Sequence, residues 1–166
     1  MEEETNRYFF IPEAVEIDVK DLPEDKNELI LERELHYNEP EKGFRTLKFT
    51  GSAYIPKDDY DKAIKNSKPL RLMDLINVNV TEDSCTYDSE SLEEAQSKHA
   101  SIIQWSPIEG SVKATVVMPD NTKVNGFIEP DSKDVRVDDM VQLERFGFAR
   151  VDNITKEGIT FYYTHN

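Results

Sequence analysis

The sequence predicts an all-β fold, on three observations. Short runs of apolar and polar residues alternate along most of the chain. Glycine, proline or small polar residues punctuate these runs. Only one stretch, Lys57 to Asn66, has clear helix character. Alternation with period 2 marks strands that bury one face, and many short strands separated by turns imply a barrel or a sandwich.

In chain order, Tyr8 to Ile11 is an apolar run that stops at Pro12, and Val15, Ile17 and Val19 then alternate with Glu16 and Asp18. Leu29, Leu31, Arg33 and Leu35 alternate with Ile30, Glu32 and Glu34. Thr46 to Phe49 and Ser52 to Ile55 flank Gly51 and read as a hairpin or a bulged corner. Pro56 ends that strand. Lys57 to Asn66 carries acids in its first turn and a lysine near its end, the arrangement the helix dipole favours. Leu70 to Leu72, Leu75 to Val80 and Ser84 to Tyr87 return to strand, and the glutamate-rich Ser89 to Lys98 is a short helix or a loop. Ile102 to Trp105, Val112 to Met118, Lys123 to Ile128, Met140 to Glu144, Phe148 to Ile154 and Ile159 to Tyr163 complete the strands, with turns at Pro119-Asp120-Asn121 and Gly158. No strict internal repeat is legible.

The chain has 166 residues, a net charge of −14 and one cysteine, Cys85. A lone thiol makes no internal disulfide. Three consecutive glutamates near the start are the wrong charge for a signal peptide, and no apolar run approaches the roughly 20 residues that span a bilayer. These features predict a cytoplasmic protein with no membrane partner. The charge is segregated. Lys42 to Arg71 holds eight basic residues against three acids, a net of +5, while the remainder holds 12 basic and 31 acidic residues, a net of −19. Such a basic segment is either an electrostatic footprint or a solvated face.

No catalytic motif is present. His36, His99 and His165 stand far apart, without metal-ligand spacing, and the six glycines form no phosphate-cradling loop. Lys65-Asn66-Ser67-Lys68 bears a slight likeness to the lysine loop of class I aminoacyl-tRNA synthetases. It ends a helix in a β-rich context, without the partner histidine motif, and reads as part of the basic segment.

An ordered series of motifs resembles the anticodon-binding region of archaeal-type glutamyl-tRNA synthetases. It begins with Asn6-Arg7-Tyr8-Phe9-Phe10-Ile11-Pro12. His36-Tyr37-Asn38 follows, with Tyr37 where the family usually has proline, and then Gly43-Phe44-Arg45. Tyr54 to Asp59, Leu70 to Leu75, Cys85-Thr86-Tyr87 and Ala100 to Trp105 continue it. Met118-Pro119-Asp120, Gly126 to Pro130, Gln142 to Phe148 and Phe161 to His165 complete it. Residues 1–5 precede the resemblance.

The resemblance implies two β-barrels with one or two short helices: a proximal barrel from residues 6–34 plus 87–166, and a distal barrel from 35–86. It implies a tRNA partner, bound through its anticodon loop, and a catalytic half in the same parent chain. The parent would use ATP and magnesium; this chain itself would catalyse nothing and hold no cofactor. A stand-alone β-barrel that binds a protein partner is the alternative. Unstacked anticodon bases are read by stacking and by hydrogen bonds to base edges, and arginine suits both tasks. Resemblance points to Arg71 and Arg145 as base contacts, then to Arg45, with Lys42, Lys62 and Lys65 on phosphates; Tyr87 and Tyr37 are candidate stacking surfaces. Each has a plainer reading: an ion pair of Arg145 with Glu144, and an Arg71 stem packed on the sheet. Trp105 is assigned to the core.

Overall fold

The computed structural model describes residues 5–36, 41 and 43–166. Among these, sixteen strands and two short α-helices are formed. Two seven-stranded sheets carry the fold, and a two-stranded ribbon of β4 (Leu29–Glu34) and β5 (Phe44–Phe49) packs onto the first. The all-β, two-barrel architecture is as the sequence predicted.

The topology reveals a duplication that the sequence conceals. Each half opens on a strand interrupted once. In the first half, β1 (Asn6–Tyr8) and β2 (Phe10–Pro12) flank Phe9; in the second, β10 (Ser101–Ile103) and β11 (Ser106–Pro107) flank Gln104 and Trp105. Five further strands follow in each half. They are β3 (Ala14–Lys20), β6 (Ser52–Pro56), β7 (Leu70–Leu72), β8 (Ile76–Val80) and β9 (Cys85–Ser89), then β12 (Val112–Val117), β13 (Lys123–Ile128), β14 (Met140–Leu143), β15 (Gly147–Thr155) and β16 (Gly158–His165). The first sheet runs β10-β7-β8-β9-β3-β6-β11 and the second β1-β14-β15-β16-β12-β13-β2. Every pairing has its counterpart, including the parallel contacts β10 to β7 and β1 to β14, and β3 to β9 and β12 to β16. The two pieces of each interrupted strand sit at the two ends of one sheet and close it into a barrel, which removes exposed edges. Each interrupted strand closes the barrel of the other half.

The exchange explains the apolar run at the start. Tyr8 and Phe10 point into the second core, while Phe9 and Ile11 point into the first. A strand buried on both faces cannot alternate with polar residues. The sheets divide the chain at other points than the 6–34 plus 87–166 and 35–86 partition, because the backbone ladders of β3 and of β10–β11 run to β6, β7 and β9 in the first barrel.

Local rules account for the remaining elements. α1 (Lys57–Asn66) starts after Pro56 in extended conformation and stops at Ser67, whose φ of 52° is left-handed. α2 (Leu92–Ser97) is capped by Ser91, whose Oγ accepts from Glu94 N–H at 3.1 Å and donates to Glu94 Oε1 at 3.0 Å. β5 and β6 do not pair with each other. Gly51, at φ +104°, turns the chain between the ribbon and the first barrel, so the segment is a corner.

Candidate functional site

The two barrels meet at two matching hairpin turns. Leu75 N–H donates to Leu72 O at 2.9 Å in the first barrel, and Phe146 N–H to Leu143 O at 2.8 Å in the second. The third residue of each turn has positive φ, 60° at Asp74 and 65° at Arg145. Glycine or asparagine is usual there, and a bulky charged residue held in that region marks a position of interest.

A buried charge network ties the joint. Arg33, on β4, donates to Asp74 of the first turn and to Glu144 of the second, the latter at 2.8 Å. Arg45, on β5, has no accessible surface. Its Nε lies 2.8 and 3.0 Å from the two oxygens of Glu129, its Nη1 donates to Glu34 O at 3.0 Å, and its Nη2 pairs with Glu144. Phe9 N–H donates to Glu129 at 2.7 Å, and the Arg33 and Arg45 guanidinium carbons lie 4.9 and 5.0 Å from the Phe9 ring centre. Burial pushes the Glu129 carboxyl up to about 7, against the opposing pull of Arg45. Arg45, a candidate from the sequence, is therefore an interior bridge and presents nothing to a ligand.

Arg145 lies beside this network at the surface. Its partner is not the adjacent Glu144, which faces Arg33 and Arg45, but Asp59 on α1. The fork is two-pronged, Nη1 to Oδ2 at 3.0 Å and Nη2 to Oδ1 at 3.3 Å. Nη1 also donates to Gln104 Oε1, and Gln104 Nε2 is anchored on Phe10 O at 3.0 Å. Lys62, one helical turn along α1 from Asp59, is close enough to feel the Arg145 charge. The structure thus brings together Arg145 and Lys62. Lys65 is exposed in the last turn of the same helix, and among the described residues no carboxylate pairs with Lys65 or Lys68.

The other candidates lie elsewhere. Arg71 is 9% exposed, with Nη1 bonded to Asn77 Oδ1 at 3.0 Å and to Glu90 O at 2.8 Å, which matches the plainer reading of a paired arginine packed on its sheet. Tyr87 is half-buried against the first core, and burial raises its hydroxyl above the ordinary tyrosine range. Trp105 is fully buried and donates to Met73 O at 3.1 Å. Lys42, Tyr37 and Asn38 fall outside the described residues. Much of the basic segment is neutralised: Lys48 meets Glu28 at 3.4 Å, Lys57 meets Asp61 at 3.0 Å and Lys62 meets Asp58 at 2.8 Å.

Sequence reasoning missed Arg33, Asp59, Gln104, Glu129 and Glu144. A signal existed for the arginines. Arg33 is in phase with Leu29 and Leu31, and Arg45 with Leu47 and Phe49, so each sits on a buried strand face and needs a partner. Nothing local marks Glu129 as that partner.

Among the described residues no group of three or more histidines, cysteines or carboxylates is arranged to hold a metal ion, and no helix is long and apolar enough to cross a membrane. Two family models, both described as the anticodon-binding domain of class I tRNA synthetases (E and Q), match residues 5–98 and 58–152. The chain is 65% identical over its full length to a glutamate–tRNA ligase of Methanosphaera stadtmanae, covering 30% of that protein. It is 44% identical to that of Methanothermobacter marburgensis over 99% of this chain and 28% of the relative, and 33% identical to that of Methanocaldococcus jannaschii over 99% and 29%. The chain thus spans about 30% of the length of the curated relatives it matches, and their catalytic domain lies outside the matched stretch. With two family models each covering more than half of it, this chain belongs to the anticodon-binding domain family of the class I tRNA synthetases for glutamate and glutamine.

Proposed function

We propose that this chain binds the anticodon loop of the tRNA for glutamate, as the anticodon-binding part of a cytoplasmic glutamate–tRNA ligase. The observation that carries the reading is Arg145: a planar donor fork held at a left-handed turn position, 37% exposed, where the two barrels meet. Lys62 and Lys65 on the adjoining α1 supply positive charge for the phosphates, and Arg145 supplies base-edge donors or a stacking plane. Arg71 is buried deeply enough that its role is to support the first barrel wall. The catalytic part of the parent chain would bring ATP, magnesium and glutamate to the acceptor end of the same tRNA. Because the relatives carry the matched stretch within longer chains, a stand-alone protein-interaction module is the less favoured reading.

The test is a salt titration of binding to the anticodon stem-loop, with a scrambled-loop control. The native loop binds in preference. Arg145→Ala removes that preference, while Lys65→Ala weakens both RNAs alike and reduces the salt slope by about 0.7, one single-strand phosphate contact. A native loop that binds no better than the scrambled one refutes the reading.

A further inference from the structure

The three acids of the basic segment, Asp58, Asp59 and Asp61, all lie on α1, and each faces a cation: Lys62, Arg145 and Lys57 respectively. The three pairs are not equal. Asp58 and Asp61 are 77% and 55% exposed and bond one residue four positions away, an arrangement that water and salt screen. Asp59 is 15% exposed, reaches across from the first barrel to a turn of the second, and meets both terminal nitrogens of one guanidinium. Planar two-oxygen recognition of this kind is also how arginine grips a phosphodiester.

We propose that Asp59 is a built-in stand-in for an RNA phosphate, an internal competitor that occupies Arg145 until an RNA offering additional contacts displaces it. The inference rests on the RNA-binding reading of Arg145 given above. A bare phosphate gains nothing by exchanging with Asp59, because one anionic fork replaces another and the freed carboxylate then repels the strand. A loop whose bases also meet the joint gains those base contacts and pays the same cost once. Displacing Asp59 therefore carries one fixed cost, and only a correct loop recovers it. Gln104, 3% exposed and fixed to the Phe10 carbonyl, holds the guanidinium in place while its anionic partner is exchanged. Two distinct anchors, one anionic and one neutral, are what such an exchange requires: the neutral anchor stays and the anionic one leaves.

The experiment uses the 166-residue chain and fluorescence anisotropy against the native anticodon stem-loop, a scrambled-loop stem-loop and an unstructured oligouridylate. Wild type, Asp59→Asn and Asp58→Asn are compared, with thermal melts to show that α1 is intact. Asp59→Ser, which suits a helix first turn, repeats the measurement if Asn disturbs folding. Asp59→Asn is expected to raise affinity for scrambled loop and oligouridylate about tenfold, with a salt slope steeper by about 0.7, one additional phosphate contact. Affinity for the native loop rises at least as much, because in the wild type only the native loop displaces Asp59 and bears that cost, and Asp58→Asn changes each value less than twofold. No gain on the scrambled loop, a native-loop gain smaller than the scrambled-loop gain, or a loss of native-loop binding by a folded variant would overturn the proposal; the last makes Asp59 a clamp that positions Arg145. Wild-type protein that shows no loop preference at all refutes instead the RNA-binding reading beneath it.

Discussion

Replacing Arg45 by leucine removes the one cation that both buried glutamates share. Glu144 keeps Arg33 at 2.8 Å. Glu129 keeps only the Phe9 N–H at 2.7 Å and has no water to turn to, since its side chain has no accessible surface. Breaking a buried ion pair by removing one partner costs about 3–5 kcal/mol. At roughly 2–4 °C per kcal/mol for a chain of this size, the melting midpoint falls by about 6–20 °C. The loss depends on pH. The Glu129 carboxyl sits at about 7 in the folded protein against an ordinary 4.5, so the native state holds a proton the unfolded chain has released. Its stabilising contribution is full below 4.5 and is lost as pH rises through about 7. In Arg45→Leu the carboxyl can escape its isolation only by staying protonated, so the variant suffers most at pH 8.5 and least at pH 5.5. Urea unfolding followed by circular dichroism and by the fluorescence of Trp105, the single tryptophan, measures this at both pH values. Arg45→Leu loses at least about 1 kcal/mol more at pH 8.5 than at 5.5, and adding Glu129→Gln removes that difference. A penalty that is independent of pH, or below about 1 kcal/mol at pH 8.5, would refute the account of Glu129 as a carboxylate held charged by Arg45.

Three further outcomes are expected. Trp105→Ala empties the centre of the first core, where the indole meets Phe49 edge-on at 6.1 Å, and costs about 3–5 kcal/mol in chemical denaturation. Gly126→Ala puts a Cβ 1.9 Å from the Ile11 carbonyl oxygen, so β2 and β13 must part; the variant loses cooperative unfolding and most of its soluble yield. Asn77→Ala removes an acceptor from Arg71 at 3.0 Å and the amide donor that Ser89 Oγ and Ser91 O receive at 2.9 and 2.8 Å, and costs about 1–3 kcal/mol by the same urea measurement.

Strand positions were legible because each obeys a local rule. The α1 limits follow from Pro56, the first-turn acids and the run of polar residues after Ile64, and the observed helix spans Lys57–Asn66 as read. Exchange of the interrupted strands was not legible, since the pairing of Arg7 with Gln142 depends on which edges remain open once both sheets have formed. Charge misled for a related reason. Lysines and arginines counted along the chain are alike, but in space Arg45 is interior, Arg71 is walled in and two cations, Lys57 and Lys62, face acids of their own segment. What separates Arg145 from them is its turn position and a partner 86 residues away, neither of which its neighbours in sequence reveal.

The crossed interrupted strands also determine how the molecule can be made and unmade. Phe9 and the Glu129 carboxylate that receives its N–H are 120 residues apart, so the opening strand leaves the ribosome long before its place in the second barrel exists. The first barrel has no complete wall until Pro107 has emerged, and the second none until β16 is made. The same crossing works as a clasp once folding is complete. A single cut in the link between β9 and β10 leaves two pieces, each holding a stave of the other's barrel, so they stay together under native conditions and separate only when both barrels unfold.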